Sequence, residues 1–124
     1  MKKHQPELIK LEGKSTADNN AELKIIDELS EKFFSPKRIY FINGYGERGK
    51  HYHENCDQII APIFNPQTIH LKKDGQFLTY NLTPLIDAIF IPRGWSLTLN
   101  MPPKSITLAL ASESYKNTET FKEL

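Results

Sequence analysis

Apolar and polar positions along this chain change texture near Ser35. Beyond it, short β-branched and aromatic runs follow one another at regular intervals. "KRIYFI" ends at Asn43-Gly44. "QIIAPIF" covers 58–64. "QTIHL" and "QFLTYNL" flank Asp74-Gly75. "DAIFIP" and "SITLALAS" follow. Gly, Pro, Asn and Asp punctuate the runs, which is the pattern of a β-sandwich or barrel, and roughly eight or more strands are expected. Lys-Asp-Gly at 73–75 is the strongest hairpin signal. Pro62, inside an apolar run, marks an edge or a bulge, because proline cannot donate to a ladder.

The segment before Ser35 reads two ways. Leu23, Ile26, Leu29 and Phe33 recur at helical spacing, which argues for an amphipathic helix. "ELKIID" alone reads equally as a short strand. The first stretch is polar apart from Leu8 and Leu11, and "STADNN" is a loop by composition. The polar C-terminal tail, 113–124, suits a short helix or an extended arm. The expectation is a single all-β domain over 1–124, with an N-terminal segment at 1–17.

Composition narrows the class. The 124 residues are 39% apolar and 25% charged with a formal net charge of +1, typical of a soluble globular chain. Lysines and arginines are interspersed with acids, so the one-sided basic footprint of a nucleic-acid binder is missing. Cys56 is the one cysteine, which rules out an internal disulfide and fits a reducing compartment. No apolar run nears the ~18 residues of a membrane span, and "MKKHQPELIK" has no apolar core of a secretory signal. A cytoplasmic protein without membrane partners is expected.

The chemistry concentrates in "RGKHYHENCDQ", residues 48–58. On an extended strand His51 and His53 point to one face and Tyr52 to the other. The pair suits metal ligation, acid–base work or plain surface exposure. The same alternation puts Arg38, Tyr40 and Ile42 on one face of "KRIYFI". A barrel pocket would gather Arg38, Tyr40, Arg48 and Trp95 around the histidines, a set suited to an anionic ligand with a ring to stack on. His4 and His70 have no assigned role, and Cys56 reads as a small buried apolar residue.

The spacing resembles that of cupin barrels, which carry a Gly-rich lead-in, His-x-His, an acidic residue three or four positions on, and later Pro-x-Gly followed by a third histidine. Here "GYGERGKHYH" and "IPRGW" keep the frame. The acidic position falls at Asp57 or Gln58, and Trp95, Ser96 and Leu97 stand where the third histidine would be. Catalytic metal sites usually hold three protein ligands, so no metal is expected, and no other cofactor.

The resemblance narrows further, over about Asp18 to Lys122, to the sugar 3,4-ketoisomerases acting on dTDP-4-keto-6-deoxyglucose. "KRIYFI", "RGKHYHENCDQII", "KKDG", Trp95 and "LALASESY" are similar to that family's segments, and "DNNAELKIID" to its opening strand, which favours a strand at Leu23 to Ile26. The resemblance implies a metal-free homodimeric cupin of deoxysugar biosynthesis, as in O-antigen assembly, with a nucleotide sugar as its ligand. It implies His51 and His53 as the acid–base pair and Tyr40 as a catalytic donor. Arg38, Arg48, Gln58, Trp95 and Ser96 would contact substrate. The chain departs from the family at Asn20-Ala21 in place of Arg-Gly, at Tyr52, at Glu54, and at Ser96 in place of a histidine. These departures keep two alternatives open: a degenerate cupin that only binds a nucleotide sugar, and another isomerase, epimerase or lyase on the same scaffold.

Overall fold

A computed structural model describes residues 5–15, 22–25, 32–114 and 118–122. Among them run ten strands: β1 (Glu7–Lys10), β2 (Glu12–Ser15), β3 (Glu22–Ile25), β4 (Arg38–His53), β5 (Gln58–Phe64), β6 (Gln67–Lys73), β7 (Gln76–Leu82), β8 (Asp87–Ile91), β9 (Ser96–Ala111) and β10 (Thr120–Lys122). The all-β expectation holds, and every pairing is antiparallel.

β4 and β9 organise the molecule. Each runs sixteen residues, and their pairing breaks between Gly44 and Gly46, opposite the Pro102-Pro103 stretch. The first half of β4 pairs with the last part of β9, and its second half with the first part of β9. On one side of this break β5, β8 and β1 extend the sheet. On the other, β6 and β7 extend it beyond β9, and β10 adds to the free edge of β4. The sheet therefore folds back on itself as a jelly roll. Side chains from both halves meet in one inner core of Ile60, Ile69, Leu71, Leu82, Ile89, Ile91, Trp95, Leu99, Met101 and Ala109.

A second apolar layer lies outside β5 and β8. Phe34, Ile59, Ala61, Ala88, Phe90 and Leu110 are covered there by Ile9, Leu11 and Phe33, with Phe33 stacked on Phe90 at 4.6 Å. This double coverage explains why "QIIAPIF" and "DAIFIP" read as near-continuous apolar runs: both of their faces are buried.

Local signals hold where they rest on backbone chemistry. β6 and β7 join through Asp74 and Gly75, with φ of 49° and 81°, the two positive values that a type I′ hairpin turn needs. The β5–β9 register slips between Pro62 and Phe64, a bulge where proline was expected to make one. Near the N-terminus the strand alternative holds: β3 pairs with β2, so the helical spacing of Leu23 to Phe33 does not form a helix at 22–25. Ile26 and Leu29 lie outside the described residues. The expected N-terminal segment contributes β1, which pairs with β8, and the tail contributes β10 on β4.

Candidate active site

Five of the eight candidate residues converge on one cavity of about 570 Å³, lined by Arg38, Tyr40, Arg48, His51, His53, Thr118 and Thr120. That volume falls in the range of small-molecule sites. Strand geometry explains the convergence. Arg38 and Tyr40 stand opposite Ala111 and Ala109 in the β4–β9 register. Ala109 belongs to the inner core, so alternation turns Arg38, Tyr40 and Ile42 inward together. Small alanines opposite leave room above them.

Arg48 and the histidines need one more device. Simple alternation would set Arg48 and His51 on opposite faces. The register shifts between Gly49 and His51, so Arg48 faces Leu99 while His51 faces Leu97. The extra residue is Lys50, at φ 63°. One inserted residue inverts the parity, and Arg48, His51 and His53 come to share a face. Gly49 makes the bulge possible: its φ is 120°, and a Cβ there would stand 2.2 Å from the Leu97 carbonyl oxygen.

The cavity is graded in polarity. The His51 and His53 rings meet edge-on with centroids 5.5 Å apart. His53 is buried, at 8% exposure. That burial, with His51 and Arg38 nearby, holds its pKa below the ordinary histidine value, against a hydrogen bond to the Glu119 carbonyl that raises it. His53 is therefore a neutral imidazole at neutral pH, the form that accepts a proton. The Arg38 guanidinium lies over the Tyr40 ring at 5.1 Å. Gln58 Nε2 donates to the Tyr40 hydroxyl oxygen at 3.0 Å. The Tyr40 hydrogen is thus left to donate into the cavity, and burial raises the phenol pKa, so it stays protonated. A neutral base, a protonated phenol and two guanidinium groups around one space can take a proton from carbon and steady the oxyanion that results. Among the described residues no group of three or more His, Cys, Asp or Glu side chains is placed to hold a metal ion.

The remaining candidates lie elsewhere. Gln58 is buried behind Tyr40 and touches it, without lining the cavity. Trp95 is part of the inner core, 2% exposed. Ser96 lines a separate groove of about 550 Å³ with Tyr52, Glu54, Lys72, Lys73, Asp74, Arg93 and Gly94. Asp57 is turned from the cavity and grips the Arg93 backbone N–H at 2.8 Å and its guanidinium at 3.1 and 3.2 Å. That clamp holds the Pro-Arg-Gly loop, whose Gly94 N–H donates to the His53 carbonyl at 2.6 Å. His70 is exposed and bonds Thr79 across the β6–β7 hairpin. Cys56 is buried, as expected, and His4 lies outside the described residues.

Sequence reasoning missed Thr118 and Thr120. Their one signal is the alternation "TET" in the tail, two hydroxyls on a single face of an extended segment. Without the β10–β4 pairing nothing in the tail says which strand that face meets.

Comparison with known proteins places the chain. The family model described as FdtA: WxcM-like, C-terminal, matches residues 4–124. No curated protein matches. Among solved structures, a 3,4-ketoisomerase from Helicobacter canadensis is 24% identical over 95% of this chain and 90% of its own, with a TM-score of 0.84. The WlaRB TDP-quinovose 3,4-ketoisomerase from Campylobacter jejuni is 21% identical over 97% and 94%, with a TM-score of 0.84. A variant of the 3,4-ketoisomerase QdtA from Thermoanaerobacterium thermosaccharolyticum, solved with TDP-4-keto-6-deoxyglucose, is 23% identical over 95% and 87%, with a TM-score of 0.81. At these identities the likeness is one of fold: an all-β jelly roll of the cupin type.

Proposed function

Because the chain belongs to the FdtA (WxcM-like, C-terminal) family, we propose that it is a nucleotide-sugar 3,4-ketoisomerase, turning a dTDP-4-keto-6-deoxyhexose into its 3-keto isomer. The observation that carries this reading is the meeting of His51, His53, Tyr40, Arg38 and Arg48 in one cavity. The solved relatives named for this reaction share its fold over nearly their whole length.

The ketone at C4 acidifies the hydrogen on C3. A neutral imidazole of the His51–His53 pair removes that proton while the C4 oxygen gains one, from Tyr40 or through it, giving the 3,4-enediol. The O3 hydroxyl then returns a proton to Tyr40, the C3 carbonyl forms, and C4 receives a proton from the imidazolium. The net change moves the carbonyl one carbon along and consumes nothing. Tyr40 and Arg48 steady the negative charge that develops on these oxygens in the transition states, donors worth on the order of 10²–10³ in rate when preorganised. Arg38 and Arg48 supply the positive charge that a diphosphate needs. Gln58 acts through Tyr40.

The protein works as a single cytoplasmic cupin domain paired with a second copy. Ile39 and Phe41 point outward from β4, 63% and 64% exposed, beside half-buried Leu108 across the ladder. An exposed apolar strip of this kind marks an association surface, and a Phe41→Asp variant sedimenting as a monomer, against a wild-type dimer, tests it. No helix among the described residues is long and apolar enough to cross a membrane.

The activity is tested by incubating the protein with dTDP-4-keto-6-deoxyglucose, with and without chelator, and following the sugar by proton NMR. A 3-keto product forming at the same rate in both samples is expected. Tight binding without turnover would leave a binding module instead, and loss of activity on chelation would point to metal chemistry.

A further inference from the structure

β10 is a three-residue strand on the open edge of β4, with Thr120 opposite His53 and Lys122 opposite His51. It is fastened from three sides. The Asn55 side-chain oxygen accepts the Glu119 backbone N–H at 2.8 Å. Phe121 stacks on Tyr52 on the outer face, centroids 5.5 Å apart. Thr118 donates its hydroxyl to the Ser114 carbonyl at 2.8 Å. A segment this short and this exposed gains little from apolar burial, so its attachment calls for another use.

The use is visible at His53. Its Nδ1 stands 3.3 Å from the Glu119 carbonyl oxygen and 3.0 Å from the Thr120 hydroxyl oxygen. A backbone carbonyl only accepts, so both contacts are hydrogen bonds when the ring nitrogen carries the hydrogen and shares it between the two oxygens. We propose that the Glu119–Thr120 strap is the positioning element of His53: it fixes the ring as the Nδ1–H tautomer and leaves the lone pair of Nε2, on the opposite side of the ring, free toward the cavity. The strap does for this imidazole what an orienting carboxylate or carbonyl does for a catalytic histidine elsewhere, using main chain and a hydroxyl in place of a charge. A neutral partner suits a base that must remain neutral between turnovers, since a carboxylate there would favour the imidazolium. This inference rests on the reading of His53 as a proton carrier, and Thr120 and Asn55 act through His53 rather than on substrate.

Two readouts test it separately from the overall reaction. The first is the long-range ¹H–¹⁵N spectrum of the histidine rings in the free, full-length protein. His53 is expected with a protonated Nδ1 and a bare Nε2; the Nε2–H tautomer in the wild type would overturn the proposal. The second is a set of variants, Thr120→Val, Asn55→Ala, the two combined, and Thr120→Ser. The combined variant is expected to show mixed tautomers at His53 and a kcat about ten- to a hundredfold lower, with KM moving less than threefold. Thr120→Ser should restore both. An unaltered ring spectrum and kcat in the combined variant would sink the idea. If the wild type shows the predicted tautomer but does not turn over the keto sugar, the functional reading fails and the strap's role at His53 stands.

Discussion

The two faces of the chain at the end of β4 make opposite use of neighbouring residues. Inward, His51 and His53 join Arg38, Tyr40 and Arg48 in a cavity that burial has made chemically uneven: the imidazole is held neutral and the phenol protonated. Outward, Tyr52 and Glu54 border a groove of nearly equal volume with Lys72, Lys73, Asp74 and Arg93. There the charges are half or fully exposed and balanced, with Arg93 committed to Asp57 and Lys72 resting over Phe77. Size does not separate the candidate site from a surface groove here. What separates them is desolvation, together with the hydrogen bonds that Tyr40 receives from Gln58 and that His53 makes to the Glu119 carbonyl.

The largest effect is expected from the inward histidines. His53→Asn and His51→Asn keep a polar group of similar size and should lower kcat by about 10³-fold or more, with the thermal midpoint little changed. Normal turnover in either variant would remove that residue from the proton path. Next comes the donor layer. Tyr40→Phe deletes one hydroxyl and should cost about 10²-fold in kcat. Gln58→Leu should cost less, through a displaced phenol, and a Gln58 effect exceeding that of Tyr40→Phe would mean that Gln58 meets the substrate directly.

Acid dependence sharpens the contrast further. Burial lowers the His53 pKa, so kcat/KM should stay flat through neutral pH and fall only below about 6.5. The sign for stability is the same. The unfolded chain takes up the proton at the ordinary histidine value while the folded chain resists it, so stability declines as pH falls through and below about 6.5. An activity limb centred above 7 would mean that His53 is not the free base. The smallest effect is expected outside. Lys73→Ala in the outer groove should alter kcat and KM less than threefold, and a larger change would show that the outer groove takes part.

The inward set was only partly legible in the sequence. Arg38 and Tyr40, and likewise His51 and His53, follow from alternation alone, because a regular strand has a fixed period. Joining Arg48 to them requires the bulge at Gly49–Lys50, a φ choice that the glycine permits without dictating. The hairpin at Asp74–Gly75 and the slip at Pro62 were readable because both depend on backbone chemistry within a few residues. Trp95 was expected among the substrate contacts and lies in the inner core, and Ser96, the next residue and the first of β9, turns to the outer groove. The strap is held by β10, which pairs with residues 67 to 71 positions earlier, and a polar tail carries no pattern that announces such a partner. The periodicity of Leu23 to Phe33 favoured a helix, yet pairing with β2 makes 22–25 a strand: a four-residue segment takes its conformation from its neighbour more than from its own spacing.

The most direct test of the central claim, that the inward histidine pair carries a proton between C3 and C4, is hydrogen exchange at the sugar itself. Wild type, His51→Asn and His53→Asn are each incubated with dTDP-4-keto-6-deoxyglucose in deuterium oxide, and the C3 proton signal is followed by NMR. The account predicts loss of that signal with the wild type and its persistence with both variants, while each variant still binds dTDP. Loss of the C3 proton at wild-type rate with both variants would contradict it.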